Sequence, residues 1–254
     1  MLANKMNKKL HKLILTLLSI FFLFTEQNHV FAIDHYDETD SVVFENDRAY
    51  FKFNDSDITN YIVNNWWTKN IVFTEAEKKI MHDYTYNQAT PINTAIETVK
   101  GDIEQLSPEI KQQVVLLDQA THKLAIPWDI IVYRYVYETF LLDLGLTQSD
   151  LNQYYKDKRF DPEILSKIKS GTQYKKYSFM STTALKYGAL THRPIELRLR
   201  VKQGSYAAFV APYSYFPSEL EFLFPRGGQL EVIGAYLSED NKRLNIEVHF
   251  KGSL

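Results

Sequence analysis

The sequence has no cysteine. No disulfide and no thiolate metal site can contribute, so the core alone must hold the fold. The seven histidines are scattered and none sits in a His-x-x-x-His pair, which leaves the ligand spacing of a zinc centre unmet. No metal is expected. There is no Gly-rich phosphate loop and no G-x-S-x-G nucleophile elbow. Basic charge is not in excess: 29 Lys and Arg face 31 Asp and Glu, so the footprint of a nucleic-acid binder is missing. The single Arg226-Gly227-Gly228 reads as a turn, not as an RNA-binding repeat. No Pro- or Gly-rich linker, internal repeat or low-complexity segment marks a domain boundary. The one long apolar run is Leu13 to Phe24, 12 residues. A bilayer span needs about 20.

That run has a context. Lys5, Lys8, Lys9 and Lys12 precede it, and a polar stretch ending Val30-Phe31-Ala32 follows. This is the three-part layout of a secretory signal peptide cut after Ala32; an uncleaved anchor is the alternative. The expected mature chain, residues 33–254, holds 25 basic and 30 acidic residues, a net charge of −5. It carries no further candidate for a membrane span. Its length suits one domain or two small ones, and its 17 Tyr and 12 Phe supply an aromatic core. Lacking disulfides, it could pass from an oxidising to a reducing compartment without losing a bond.

The mature chain has a helix-rich front and a strand-rich back. Thr74 to Glu77 spells a capping box. Thr90-Pro91, Ser107-Pro108 and Asp161-Pro162 each place a capping side chain before a proline suited to a first helical turn. Four to six helices are expected between about residues 55 and 170, with one strand interrupting them at 129–136. From Lys176 the period becomes two. Residues 195–202 (IELRLRVK) alternate apolar and charged, as a half-buried strand would. Further strand-like segments follow, joined by short turns. The bulk reading is one α+β domain with its helices to one side of a mainly antiparallel β core.

Paired carboxylates are the strongest chemical candidates. If residues 219–224 form one strand, Glu219 and Glu221 share a face, roughly 6.5–7 Å apart. The plain alternative is the solvent face of an edge strand. Gln229-Leu230-Glu231 repeats the pattern with one charge. Arg134 interrupts an apolar strand (IIVYRYV), where it needs a partner or a route to water. Ser181, Thr182 and Thr183 place three hydroxyls in a row. Each signal is weak alone; their order, arginine, then Ser-Thr-Thr, then Glu-x-Glu, is the informative part.

That order resembles the bacterial mono-ADP-ribosyltransferase toxins of the arginine/Ser-Thr-Ser/Glu-x-Glu class, over most of the mature chain. DIIVYRYVYETFL is similar to the family's arginine strand. YSFMSTTALKYGALTHRPIELRLRV resembles its Ser-Thr-Ser strand, nicotinamide loop and following strand. APYSYFPSELEFLFPRGG resembles its aromatic target loop and catalytic strand, and DYTYNQATPIN its Tyr-Thr…Ile-Asn segment. The resemblance implies a single ADP-ribosyltransferase domain with N-terminal helices on a mainly antiparallel two-sheet core. It implies NAD⁺ as co-substrate, Glu221 as the catalytic carboxylate and Ser181 as its positioning partner. It implies that Arg134, Arg193, Thr182, Thr183, Thr85 and Asn93 hold the dinucleotide, and that Tyr215 and Phe216 face the target protein, unless they pack in the core.

In size the chain is similar to the single-domain Rho-modifying exoenzymes. In this family, however, Gln two before the catalytic Glu goes with asparagine modification and Glu with arginine modification. Glu219 therefore implies arginine transfer, on host cytoskeletal proteins such as actin, by a monomer secreted and acting in the host cell. The combination is most similar to that of a secreted streptococcal transferase. The chain departs from the pattern at Thr183, at Leu190 where an aromatic is usual, and at Ile96 and Glu97 where an arginine is usual. A secreted NAD⁺ glycohydrolase and a non-catalytic binding module remain as alternatives.

Overall fold

The computed structural model describes residues 42–45 and 48–253. The expected leader and its expected cleavage site lie outside the described residues. No helix among them is long and apolar enough to cross a membrane.

Two short strands, β1 (Val42–Glu45) and β2 (Arg48–Lys52), lead into the helical layer: α1 (Ser56–Asn70), α2 (Glu75–Asp83), α3 (Ala89–Thr98) and α4 (Pro108–Thr121). Local signals set two of the starts. The Thr74 side chain accepts from Glu77 N–H while Glu77 closes the reciprocal half of the capping box. Ser107 accepts from Ile110 N–H ahead of Pro108. The expected cap at Thr90-Pro91 is not formed. Instead α2 runs through a π-helical turn (Tyr84–Gln88) directly into α3, whose preceding residue is Gln88. A proline inside a helix removes one backbone bond and crowds the turn before it, and a widened turn relieves that crowding.

Strand β3 (Ile130–Val136) is followed by α5 (Phe140–Asp143), α6 (Gln148–Tyr154) and a small hairpin, β4 (Tyr155–Lys156) with β5 (Arg159–Phe160). The back half supplies β6 (Gln173–Lys176), β7 (Met180–Thr183), β8 (Ile195–Val201), β9 (Ala208–Phe209), β10 (Glu221–Phe224), β11 (Gly228–Leu237) and β12 (Leu244–Gly252). The main sheet has the order β6-β11-β12-β8-β3-β7-β10-β9, with β2 also on β3 and β1 on β2. Only β12–β8 and β2–β3 are parallel. In place of the two separate sheets expected of the core, the strands form one ten-stranded sheet whose halves are joined by one rung, Tyr133 opposite Thr183. That junction brings the arginine strand beside the Ser-Thr-Thr strand. Trp67, Phe209 and Phe222 pack together in tilted and edge-to-face pairs with ring centroids 5.2–6.1 Å apart.

Strand β8 differs from its expectation. It is buried along its whole length, not half-buried. Its charged face is neutralised by partners: Arg198 bonds Glu196 (3.3 Å) and Glu247 of β12 (3.2 Å), and Arg200 bonds Glu247 (2.8 Å). Alternation reports polarity, and a central strand can satisfy polarity across the sheet. Glu247→Ala removes the carboxylate shared by two buried guanidinium groups while leaving Arg198 its bond to Glu196, so thermal or urea unfolding should show a loss of about 3 kcal/mol. A loss below about 1 kcal/mol would mean that water already carries those charges.

Candidate active site

Glu221 opens β10 opposite Thr183, and Ser181 lies opposite Leu223. Residues two apart on paired strands share a face, so Ser181 and Glu221 are diagonal neighbours. The Ser181 hydroxyl is near enough to the Glu221 carboxyl to favour its charged form. Glu221 is 5% exposed, and its Oε1 is buried with no hydrogen-bond partner. Burial pushes its pKa up to about 7; the Glu219 charge adds to that shift, while Ser181 and Arg134 oppose it.

Arg134 sits on β3, where its Nη1 donates to the Ser181 carbonyl at 2.6 Å. The bond fixes the guanidinium against the strand that positions Glu221. Arg193 follows the loop after β7. Its Nη1 donates to the Tyr135 carbonyl (3.0 Å), its guanidinium lies 5.0 Å from the Tyr137 ring centre, and its Nε is buried without a partner. Arg134 and Arg193 line one cavity of about 200 Å³ together with Tyr174, Lys176 and Asp143.

Glu219 is not beside Glu221 on a strand. It ends a 3₁₀ turn (Pro217–Glu219), Leu220 then adopts a left-handed backbone (φ +46°), and the strand begins at Glu221. Pro217 presets the turn, the Thr183 hydroxyl donates to the Glu219 carbonyl (2.8 Å), and Leu220 is buried. Those restraints outweigh the strand preference read from alternation. Glu219 is half-buried; burial raises its pKa and Arg193 opposes the shift. Thr182 faces the other way and donates to the Phe222 carbonyl at 3.0 Å. The two threonine hydroxyls expected to hold the dinucleotide thus donate to backbone carbonyls, and Ser181 alone of the three lies near the carboxylate.

Asn93 and Thr85 take different positions. Asn93 donates to the Tyr84 hydroxyl (2.8 Å), which lies near Ser181, while Asn93 Oδ1 is buried and unpartnered. Tyr84 is fully buried, and burial pushes its phenol up to about 12. It was not among the sequence candidates, although it is the first tyrosine of the quoted DYTYNQ segment. Thr85 donates to the His82 carbonyl and accepts from Tyr215 N–H, each at 2.9 Å. Its hydroxyl supports the aromatic loop. Tyr215 and Phe216 are 49% and 44% exposed, which removes the core-packing alternative. The Tyr215 ring lies against Tyr86 (4.4 Å) and Phe216 (4.8 Å).

At the far end of β10, Arg226 grips Asp118 of α4 at 2.8 and 3.1 Å and donates to the Gly101 carbonyl at 3.1 Å. The Pro-Arg turn thereby locks β10 to the helical layer. Glu231 lies elsewhere. It is on β11, with β12, β8, β3 and β7 between it and β10, and it pairs with Lys251 at 3.0 Å. Glu231→Gln should leave turnover within about twofold of wild type, as expected for an exposed ion pair. A large loss in a folded variant would move the chemistry to this second motif.

Residues 52–251 match the ADP-ribosyltransferase exoenzyme family. The epidermal cell differentiation inhibitor of Staphylococcus aureus is 27% identical over 186 residues, covering 70% of this chain and 75% of that protein. The C3 mono-ADP-ribosyltransferase of Hathewaya limosa is 26% identical over 181 residues, 70% of each. The crystal structure of C3stau2 from S. aureus with NAD superposes with a TM-score of 0.74 at 27% identity, covering 80% of this chain and 99% of that one. With the family matched from β2 to β12, the chain belongs to the ADP-ribosyltransferase exoenzymes.

Proposed function

We propose that the protein transfers ADP-ribose from NAD⁺ to arginine side chains of host cytoskeletal proteins, actin-like in kind, with NAD⁺ hydrolysis as a side activity. The observation that carries this reading is the buried Glu221, near Ser181 of a strand that Arg134 grips, with Glu219 one turn away. The residues fit a dinucleotide. Buried polar atoms are nearly always paired, yet Glu221 Oε1, Asn93 Oδ1 and Arg193 Nε are not. Two acceptors and one donor without partners suit ribose hydroxyls and a diphosphate, and Arg193 lines a cavity with Arg134. The solved relative was crystallised with NAD.

Cleavage between nicotinamide and ribose develops positive charge on the sugar, as in glycoside hydrolysis. Ionised Glu221 stabilises that charge and holds a ribose hydroxyl. Ser181, backed by Tyr84 and Asn93, fixes the carboxylate. Arg134 and Arg193 take the diphosphate, where a guanidinium fork suits the geometry. Asn93 offers Oδ1 to the nucleotide, and Thr85 contributes by holding the loop that carries Tyr215 and Phe216. Glu219 orients the incoming guanidinium, a poor nucleophile, and accepts its proton as the bond forms. A Gln has no such capacity. We infer further that residues 1–32 are removed on secretion.

The second reading, a glycohydrolase with water as acceptor, uses the same carboxylate. Labelled NAD⁺ offered with agmatine, a small guanidine, separates the two. The transferase reading expects an ADP-ribosyl-agmatine adduct. Nicotinamide release with no adduct at any agmatine concentration would favour the glycohydrolase.

A further inference from the structure

The loop between β7 and β8 carries Arg193 but is poorly held by its own sequence. Tyr187 (φ +67°) and Leu190 (φ +54°) are left-handed without being glycine. Each such residue costs about 1–3 kcal/mol unless its surroundings impose it. Gly188 is required where the loop folds over β7, because a Cβ there would come within 2.1 Å of Thr183 Oγ1. Inside the loop only two backbone bonds are evident, Gly188 N–H to Leu185 (3.0 Å) and Arg193 N–H to Leu190 (3.1 Å).

Leu185 is further held by Thr183 Oγ1 (3.3 Å) and a bridge to Phe53, and His192 meets the Tyr137 hydroxyl at 3.5 Å; the other restraint comes from the opposite face of the sheet. Tyr135 neighbours Arg134 on β3 and, by strand alternation, points away from it. It is 2% exposed. Its hydroxyl accepts from Tyr187 N–H (3.1 Å) and donates to Glu196 Oε2 (3.1 Å), which ties the loop to the buried ionic network of β8. Its carbonyl takes the Arg193 guanidinium. Arg243, just ahead of β12, lies 5.0 Å from the Tyr135 ring centre and donates to the Thr191 carbonyl at 2.6 Å. Three loop residues, 187, 191 and 193, are thus held through one tyrosine and the arginine stacked on it.

We propose that Tyr135 and Arg243 form a clamp that positions the β7–β8 loop and, through it, the Arg193 guanidinium for NAD⁺. They are positioning residues, since neither touches the reacting atoms. The consequence for NAD⁺ rests on the reading of Arg193 as a diphosphate ligand; the clamp itself does not.

The test is Tyr135→Phe, which keeps the ring and removes only the hydroxyl. Amide hydrogen exchange at Tyr187 should accelerate about tenfold, and KM for NAD⁺ should rise about fivefold, the scale of one buried hydrogen bond. The kcat for NAD⁺ hydrolysis should stay within about twofold. Arg243→Lys keeps the charge but cannot reproduce the fork, and should raise KM in the same direction. Unchanged exchange at Tyr187 in Tyr135→Phe would overturn the clamp, as would a lowered unfolding temperature with exchange and KM both at wild-type values. Faster exchange with an unchanged KM would uphold the clamp and count against Arg193 as the diphosphate ligand.

Discussion

Replacing Glu221 by Gln should abolish protein labelling and NAD⁺ hydrolysis together, by about 10²–10³-fold or more, the scale of losing one preorganised electrostatic partner of the transition state. Both reactions pass through the same charged sugar, so neither should survive alone. The same variant should be more stable than wild type at alkaline pH. Burial pushes the folded-state pKa of Glu221 up to about 7, from the ordinary carboxylate value of 4.5. The folded protein therefore binds the extra proton between those values. The stability this contributes is full below the unfolded pKa and is lost as pH rises through 7. Above pH 7 the ionised carboxylate costs the fold about 3 kcal/mol, a cost that Gln does not carry. Thermal unfolding at pH 8 should show a gain that shrinks towards pH 4.5. Activity runs in the opposite sense, since the working form is ionised: kcat/KM for NAD⁺ should fall as pH drops below about 7. Retained hydrolysis in Glu221→Gln would remove this residue from the catalytic role. An activity that is level from pH 5 to 8 would show that its ionisation does not govern the step.

Glu219→Gln should divide the two reactions. Transfer to arginine should fall about 10²-fold or more, the usual scale of a lost general base, while hydrolysis stays within about threefold. The geometry makes the division reasonable. Glu219 sits at the end of a turn, half-buried, with a left-handed Leu220 between it and the catalytic strand. It can meet an incoming side chain without touching the sugar. Gln keeps the shape and the hydrogen-bonding reach, so the turn should survive. Equal loss of both reactions would mean that Glu219 acts through Glu221, by its charge or by holding the turn.

Local signals were legible where local physics decides. The Thr74 capping box and the Ser107 cap formed as spelled, because a cap needs only the residues beside it. Glu221, Ser181 and Arg134 were legible as an ordered pattern, and adjacent strands bring them together. What the sequence concealed was set by tertiary partners. Thr90-Pro91 looks like a helix start, but the chain enters it already helical through the π turn. Glu219 alternates as a strand residue would, yet Pro217, Thr183 and the buried Leu220 fold it into a turn. Residues 195–201 alternate as a half-exposed strand, yet Glu247 from a distant strand neutralises their charges. The link through Tyr84 joins a helical turn to a strand nearly a hundred residues later, and no periodicity reports such a contact.

The most direct measurement is labelled NAD⁺ incubated with the protein and a host-cell lysate, followed by mass-spectrometric mapping of the modified residue. The expected result is a labelled cytoskeletal protein carrying ADP-ribose on arginine, absent with Glu221→Gln and strongly reduced with Glu219→Gln. Label on an asparagine would contradict the role given to Glu219. NAD⁺ consumed with no protein labelled would contradict transfer to a protein altogether.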